Sequence, residues 1–97
     1  MSFPLQIIAP AGEIFNNTVD AISAPGELGS FQVLTGHAPI VYALGQGVLK
    51  ILTGQGEQYF AIDSGILEVS GNHHCQVLVD RIQSAEDFQK AKSIKFN

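Results

Sequence analysis

Short apolar runs separated by turn-forming residues follow one another along the chain, and this pattern predicts β-strands. Turn signals such as Pro-Gly, Thr-Gly and Gly-Asn recur about every 8–12 residues, which is typical of an all-β sandwich or barrel. Apolar side chains fall on both faces of residues 48–52, as expected for a strand covered by two packed sheets. The predicted strands are residues 3–8, 13–24, 30–34, 40–44, 48–53, 57–63, 66–70 and 73–80.

Local irregularities in this pattern predict bends and turns. Within residues 13–24, Asn17 interrupts the alternation of apolar and polar side chains, which predicts a bulge or bend at that residue. We expect Pro25-Gly26 to end the strand and Ser64-Gly65 to kink the chain before residue 66. Gly54-Gln55-Gly56 predicts a tight hairpin between two strands.

The last residues change from strand composition to helix composition. Ser84 precedes a run with acids first and lysines later, an order that suits the helix dipole. Ser84 and Asp87 are expected to form a capping box at the start of a helix of about two or three turns. We therefore divide the chain into a β-sandwich domain, residues 1–83, and a short helical tail, residues 84–97.

Composition narrows the classes to which the chain can belong. Its 97 residues suffice for one domain. The formal net charge of -4 argues against nucleic acid or anionic lipid as a partner, because both require basic surfaces. Charged residues make up only 14% of the chain, which suggests either that partners cover part of the surface or that this is an ordinary soluble domain with few charges.

Candidate catalytic and metal-binding residues are few. His73, His74 and Cys75 are adjacent, but neighbouring strand residues point to opposite faces, so we favour a histidine pair beside a turn and an inward cysteine over a metal site. Ser64 is not in a hydrolase nucleophile elbow, since Ile62 stands where the first glycine would be. No phosphate-binding loop motif is present, and a single cysteine excludes an intrachain disulfide. We predict no catalytic residue, no metal and no cofactor.

The sequence contains no visible targeting or membrane-spanning segment. No apolar run approaches the ~20 residues of a membrane-spanning helix, and the first residues resemble neither a secretory signal nor a transit peptide.

Two turns in the middle of the chain carry polar side chains in positions suited to binding. Glu27 follows Pro-Gly, and His37 lies between glycine and an Ala-Pro pair. Each has an ordinary structural explanation: a solvated carboxylate for Glu27, and an imidazole hydrogen bond that caps the turn for His37. Contact with a partner is the alternative for both.

These turns and three later motifs resemble one family, the epsilon subunit of F-type ATP synthases. Residues 25–40, PGELGSFQVLTGHAPI, resemble its PGE-x-G-x-x-x-VL-x-GHAPL stretch. Residues 47–51, GVLKI, are similar to PGVLRI, with Gln46 where proline is usual. Residues 60–69, FAIDSGILEV, are similar to F-x-x-x-GGILEV, with Ser64 replacing the first glycine, and residues 77–80 resemble VTVLADxA. The resemblance covers residues 3–82.

The resemblance implies a flattened antiparallel β-sandwich of about ten strands that acts as a non-catalytic rotor subunit. In that family the domain packs against the gamma subunit at the foot of the central stalk and touches the polar loops of the membrane c-ring. Loops at one end of the sandwich would carry the c-ring contact, which by position falls on Glu27, Gly36, His37 and Ala38. The gamma contact is not marked by motif, and we expect it at outward apolar positions of the second and later strands.

The resemblance also implies a peripheral location in a proton-translocating complex, without a lipid anchor. The location would be the cytoplasmic face of the bacterial inner membrane or the stromal face of the thylakoid. Family members usually continue into a hairpin of two inhibitory α-helices, which needs roughly 25–30 residues. Thirteen residues follow Ser84, so we expect that hairpin to be absent or truncated, and its inhibitory and ATP-binding properties are not carried over.

Two hypotheses of other classes compete with the rotor subunit. A stand-alone β-sandwich module for a small ligand predicts a concave apolar pocket with a few convergent polar groups. A metal-dependent enzyme would have to use His73, His74 and Cys75.

Overall fold

The computed structural model describes residues 1–96, which form eight β-strands and one α-helix. The predicted all-β fold with a short C-terminal helix is confirmed; Asn97, at the end of the predicted tail, lies outside the described residues. The elements are β1 (Phe3–Ala9), β2 (Gly12–Val19), β3 (Ala21–Gly26), β4 (Gly29–Leu34), β5 (Ile40–Leu44), β6 (Gly47–Thr53), β7 (Gly56–Val69), β8 (Cys75–Ala85) and α1 (Phe88–Ser93).

The strands form two packed sheets. The first sheet contains β5, the second half of β7, the first half of β8, β1 and β2, in that order. The second sheet contains β4, β3, β6, the first half of β7 and the second half of β8. The sheets join at one corner, where Gly26 of β3 pairs with Leu44 of β5.

Two strands, β7 and β8, run through both sheets. Residues 56–62 of β7 pair with β6, residues 65–69 pair with β5, and β8 follows β7 on both sides of the change. The change of sheet occurs at Ser64, whose φ of 60° confirms the predicted kink. A Cβ on Gly65 would lie 2.3 Å from the Leu78 carbonyl oxygen, so glycine permits the close approach of β8. Because β7 and β8 each take part in both sheets, each sheet has five strand segments. Eight strands therefore supply the ten segments that the resemblance implies.

One strand pair departs from the antiparallel arrangement expected. β1 and β8 pair in parallel, with Leu5 opposite Cys75 and Ile8 opposite Leu78. β2 to β7 lie between these two strands in the sequence, so no hairpin turn sets their relative direction. Turn residues therefore could not predict that the pair is parallel.

The core lies between the sheets and contains only apolar side chains. No polar or charged residue among residues 1–96 is buried. In β1, β6 and β8 the buried positions recur at every second residue, as alternation in a strand requires, whereas Phe60, Ala61 and Ile62 of β7 are buried in succession. Close-packed interiors of this kind are stiff, which suits a scaffold that holds surface turns in fixed places. The largest fully buried side chains are Leu5, Ile7, Ile22, Leu44, Leu49, Ile51, Ile62, Leu67, Val19, Val33 and Val77.

The predicted single strand over residues 13–24 is wrong, because the chain changes sheet at Asp20. The Asp20 N–H donates to the Leu52 carbonyl oxygen at 2.7 Å, which ends β2 at Val19 and starts β3 at Ala21. The predicted bulge at Asn17 is also wrong. The extra residue is Ile14, since the pairing register between β1 and β2 shifts there.

The end of β3 lies beyond the predicted turn, whereas the later hairpin is as predicted. Pro25-Gly26 stay within β3, and the loop consists of the next two residues. The hairpin predicted at Gly54-Gln55-Gly56 is confirmed, with Thr53 opposite Gly56.

The helix begins later than predicted and is shorter. Ser84 belongs to β8, so the predicted capping box with Ser84 does not form. Asp87 is the N-cap, and its carboxylate accepts the Lys90 N–H at 2.8 Å. Pairing of β8 with β7 continues through Ala85 and uses the residues that would have formed a first turn, which leaves a helix of six residues. The division into residues 1–83 and 84–97 stays a prediction.

Candidate functional site

The first candidate turn, Glu27-Leu28, is a two-residue hairpin loop between β3 and β4. Gly26 and Gly29 pair across it, and a Cβ on Gly26 would lie 2.6 Å from the Gly29 carbonyl oxygen. The Glu27 N–H donates to the Ala43 carbonyl oxygen at 3.0 Å, which fixes the turn against β5. Both side chains of the turn are exposed, Leu28 fully so. The fold therefore presents a carboxylate and an apolar side chain together on a rigid tip.

The second candidate turn follows β4 and contains His37. The His37 N–H donates to the Leu34 carbonyl oxygen at 3.1 Å, which turns the chain directly after the strand. The His37 Nδ1 lies 2.7 Å from the Ala38 carbonyl oxygen. Because a carbonyl oxygen only accepts, the Nδ1–H of His37 is the donor in this contact. His37 is half-buried, while Gly36 and Ala38 are exposed.

The structure places these two turns at opposite ends of β4. Glu27 precedes the strand and His37 follows it, and the six residues of β4 span about 17 Å. The resemblance implies loops at one end of the sandwich, whereas the length of β4 separates these two turns. The assignment of Glu27, Gly36, His37 and Ala38 to the c-ring contact stays a prediction.

An apolar row crosses four strands on the outward face of the first sheet. Ala43 pairs with Ile66, Ile66 with Leu78, and Leu78 with Ile8, so that these four side chains lie next to one another. Ile66 is 48% exposed and Leu78 44% exposed, and Val41 on the same face is 64% exposed. At about 4.8 Å between strands, the row is about 14 Å long.

Sequence reasoning did not identify this row. Its members come from four strands that are distant in the chain, so only the pairing register shows that they are neighbours. The one usable signal was the alternation in β7 and β8, where Ile66 precedes the buried Leu67 and Leu78 lies between two buried valines.

A polar row lies beside the apolar row on the same face. Glu68 pairs with Gln76, and Gln76 pairs with Gln6. The Gln76 amide donates to the Gln6 side-chain oxygen at 3.1 Å, and the Gln6 amide donates to Glu13 at 2.6 Å. A partner on this face would meet a stripe of apolar side chains next to a stripe of oriented amides.

The outward face of the second sheet, in contrast, is partly covered by α1. Ala91 of the helix is 2% exposed and borders a hollow that Val48 and Ala61 also line. The Arg81 guanidinium lies 5.4 Å from the centre of the Phe96 ring, in cation–π geometry, and holds the chain after the helix. The two faces thus differ, because apolar positions of the second sheet have a cover within the described chain.

A hollow of about 300 Å³ connects the Glu27 turn with the apolar row. Glu27 and Asp80 line its polar side, and Ile66 and Leu78 line its apolar side. The Ser64 hydroxyl, at the kink of β7, donates to the Asp80 carboxylate. The turn and the row are therefore parts of one continuous surface.

The residues considered for metal binding are not brought together as a ligand set. Cys75 is buried, and burial raises the pKa of its thiol to about 12, so the thiol is protonated at neutral pH and a poor nucleophile. His73 and His74 are exposed in the turn between β7 and β8. Along residues 1–96, no group of three or more His, Cys, Asp and Glu side chains is placed to hold a metal ion.

The clearest charge cluster is a surface one on the second sheet. Lys50 lies 2.9 Å from Glu57, whose carboxylate also accepts the Tyr59 hydroxyl at 2.6 Å. The hydrogen bond from Tyr59, followed by that from Lys50, lowers the pKa of Glu57. The hydrogen bond to Glu57 in turn raises the pKa of Lys50. All three groups are solvent-accessible, so these shifts describe a surface ion pair and do not mark a catalytic centre.

Comparison with known proteins identifies the family. The model of the ATP synthase delta/epsilon chain β-sandwich domain matches residues 2–85. The chain belongs to this family. The chloroplastic ATP synthase epsilon chain of Pylaiella littoralis is 32% identical over 96 residues, which are 97% of this chain and 72% of that relative. The ATP synthase epsilon chain of Prochloron didemni is 33% identical over 90 residues, 93% of this chain and 65% of that relative.

Other epsilon-chain relatives match over shorter stretches. That of Aliarcobacter butzleri is 47% identical over 45 residues, 46% of this chain and 36% of the relative. The aligned part is 31% of the length of the ATP synthase epsilon chain 2 of Syntrophotalea carbinolica, compared with 72% for the Pylaiella littoralis relative. The resemblance identified in the sequence is thus confirmed for the β-sandwich domain.

Solved structures share the fold. A chain of the Euglena gracilis mitochondrial ATP synthase, in a structure titled OSCP/F1/c-ring, superimposes with a TM-score of 0.80 at 21% identity over 86% of this chain and 53% of that chain. A chain from the central stalk/c-ring structure of the Tetrahymena thermophila mitochondrial ATP synthase gives 0.74 at 19% identity, covering 100% of this chain and 81% of that chain. In the described chain, no helix has both the length and the apolar character required to cross a bilayer.

Proposed function

We propose that the chain is a non-catalytic rotor subunit of a proton-translocating F-type ATP synthase, where it couples the gamma subunit to the membrane c-ring. Its family membership supports this role, as do relatives named epsilon chains and structural neighbours from central-stalk and c-ring assemblies. Catalysis would reside in other subunits. The chain would be peripheral, on the cytoplasmic face of a bacterial inner membrane or the stromal face of a thylakoid.

The observation that carries the proposal is the uncovered apolar row on the first sheet. We assign the gamma contact to this row because its side chains are half exposed although they lie side by side on a flat, rigid face. Burying the exposed half of Ile66 or Leu78 would contribute about 1 kcal/mol each, since full burial of such a side chain is worth about 1.5–3 kcal/mol. The adjoining amides would set the orientation of the partner.

The c-ring contact is proposed for the two turns at the ends of β4. Two turns about 17 Å apart can both reach a ring of repeated loops if β4 lies along the surface of that ring. Glu27 would meet a basic or polar group, and Gly36, His37 and Ala38 would supply a second contact. A surface ion pair is worth only about 0–1 kcal/mol, so Glu27 would orient the subunit rather than provide most of the affinity.

Mixing the purified chain with the gamma subunit of the same source tests the first contact. We expect the wild-type chain to co-elute with gamma from a sizing column and the Leu78→Asp variant to elute alone. Leu52→Asp is the matched control, because Leu52 is 38% exposed on the second sheet, and it should co-elute as the wild type does. Circular dichroism establishes that both variants fold. A wild-type chain that does not co-elute with gamma would contradict the proposal. Equal loss of co-elution in the two variants would also contradict it.

Charge reversal tests the second contact. Glu27→Lys should lower ATP synthesis by membranes that contain the assembled complex, by up to about fivefold, while the isolated domain stays folded. Glu86→Lys is the control, because the Glu86 side chain is 82% exposed on the tail, away from both turns. Unchanged synthesis with Glu27→Lys, or the same loss with Glu86→Lys, would refute the c-ring assignment.

A further inference from the structure

The edge of β4 lacks the features that usually prevent strand edges from pairing. Within residues 1–96, β4 pairs only with β3, and its sequence GSFQVL contains no charge and no proline. Natural proteins protect free edges with charges, prolines, bulges or covering elements. The edge strand β2 has a charge at Glu13 and a bulge at Ile14, and the free half of β8 has Arg81. The fourth edge, β5, is held at its end by the β3 hairpin, since the Ala43 carbonyl oxygen accepts the Glu27 N–H. Of the four edges, β4 is therefore the one that is open to pairing along its whole length.

The backbone groups available on this edge belong to every second residue. The Pro25 carbonyl oxygen accepts the Gly45 N–H at 2.8 Å, away from β4, so Pro25 and Ser30 face each other as a non-hydrogen-bonded pair. By alternation, Ser30, Gln32 and Leu34 direct their N–H and C=O groups outward. The Leu34 carbonyl oxygen already accepts the His37 N–H and keeps a second lone pair.

We propose that two copies of this chain pair through their β4 edges, antiparallel and about a two-fold axis at Gln32. In this register Gln32 faces Gln32 of the second copy, and Ser30 faces Leu34 of the second copy on either side. All three outward-facing residues of each strand are then hydrogen-bonded. A shift by two residues in either direction would leave one of the three without a partner, so the backbone pattern selects this register.

The turns at the ends of β4 do not oppose this pairing. Glu27 precedes the strand and His37 follows it, so antiparallel pairing brings the turn with Glu27 of one copy to the same end of the dimer as the turn with His37 of the second copy. The two Glu27 carboxylates then lie at opposite ends of the dimer and do not repel each other. The dimer would cover both turns proposed to contact the c-ring, and it is therefore a form of the unassembled chain. The inference rests on the edge geometry and does not depend on the proposed function.

Disulfide trapping in the full chain tests both the pairing and its register. Opposed residues of a hydrogen-bonded antiparallel pair have Cα atoms about 5.5 Å apart, within reach of a disulfide. Gln32→Cys should therefore form a covalent dimer on mild oxidation. Ser30→Cys lies on the same edge, but its two copies would be about 14 Å apart, so it should not form a covalent dimer. Cys75 is buried with a pKa raised to about 12 and does not compete.

Sedimentation of uncross-linked chains gives an independent measurement. The wild-type chain should dimerise with concentration between about 1 μM and 1 mM, the range of weak complexes. Gln32→Lys should weaken the dimer at least about tenfold, because it places like charges opposite each other. Gln58→Lys, on an exposed position of β7, should not. A wild-type chain that stays monomeric to about 1 mM overturns the proposal, and so does Ser30→Cys cross-linking as readily as Gln32→Cys.

Discussion

Replacement of Ser64 tests whether the corner of β7 stores backbone strain. Ser64 has a φ of 60°, in the left-handed region that costs a residue with a Cβ about 1–2 kcal/mol. The sequence motif that residues 60–69 resemble has glycine at this position. The Ser64 hydroxyl also donates to Asp80, a bond worth about 1 kcal/mol at a partly exposed site. Two opposing effects therefore meet at one residue.

Two substitutions separate these effects. Ser64→Ala loses the bond to Asp80 and keeps the strain, so the free energy of unfolding should fall by about 1 kcal/mol. Ser64→Gly loses the same bond but relieves about 1–2 kcal/mol of strain. The greater conformational entropy of its unfolded chain lowers the free energy of unfolding by about 0.4–1 kcal/mol. The Gly variant should thus be more stable than the Ala variant by about 0.5–1 kcal/mol, which is a difference of several degrees in Tm.

Urea unfolding of the two variants measures this difference, with Ser84 as the matched site. Ser84 lies in the extended part of β8, where glycine should be less stable than alanine by about 0.5–1 kcal/mol. The sign of the Gly-minus-Ala difference should therefore be opposite at positions 64 and 84. The same sign at both positions would refute the reasoning that Ser64 is strained.

Three further predictions concern the packing of β7, the buried thiol and the helix cap. Gly65→Ala should lower the free energy of unfolding in urea titrations by about 1–3 kcal/mol, because the added Cβ would meet the backbone of β8. Gly71→Ala should change the free energy of unfolding by less than about 0.5 kcal/mol, because Gly71 has open space around it. The pKa of Cys75 is raised from 9.0 to about 12 in the folded state, so the unfolded chain loses the thiol proton first as pH rises. The free energy of unfolding should therefore fall between about pH 9 and 12, by up to about 1.4 kcal/mol per pH unit. Cys75→Ala should remove this slope. Asp87→Ala should speed hydrogen exchange at the Lys90 amide, and Ser84→Ala should not, because only Asp87 caps α1.

The sequence predicted those parts of the fold that depend on local chemistry. The hairpin at residues 54–56 and the kink at Ser64 follow from turn residues alone, and the structure contains both. The parallel pairing of β1 with β8 and the break at Asp20 depend on contacts between distant residues, and no local pattern contains that information. The late start of α1 has the same cause, since strand pairing to Ala85 outweighed helix propensity at Ser84.

The candidate site divides in the same way. Glu27 and His37 could be identified as turn residues from glycine and proline spacing. Their separation could not, because it depends on how β4 pairs with β3 along all six residues. The sequence predicted the apolar row only as outward apolar positions, without saying which strands would carry them. Ile66 and Leu78 are neighbours because of the register in which β7 pairs with β8, and the sequence pattern does not contain that register.

The central claim, that the outward face of the first sheet binds the gamma subunit, is tested most directly by hydrogen exchange of the chain with and without gamma. Added gamma should slow exchange in β5, in residues 65–69 of β7 and in residues 75–79 of β8. Exchange in β6 and α1 should change little, because these elements belong to the second sheet and its cover. Protection confined to the second sheet, or no protection at saturating gamma, would contradict the account.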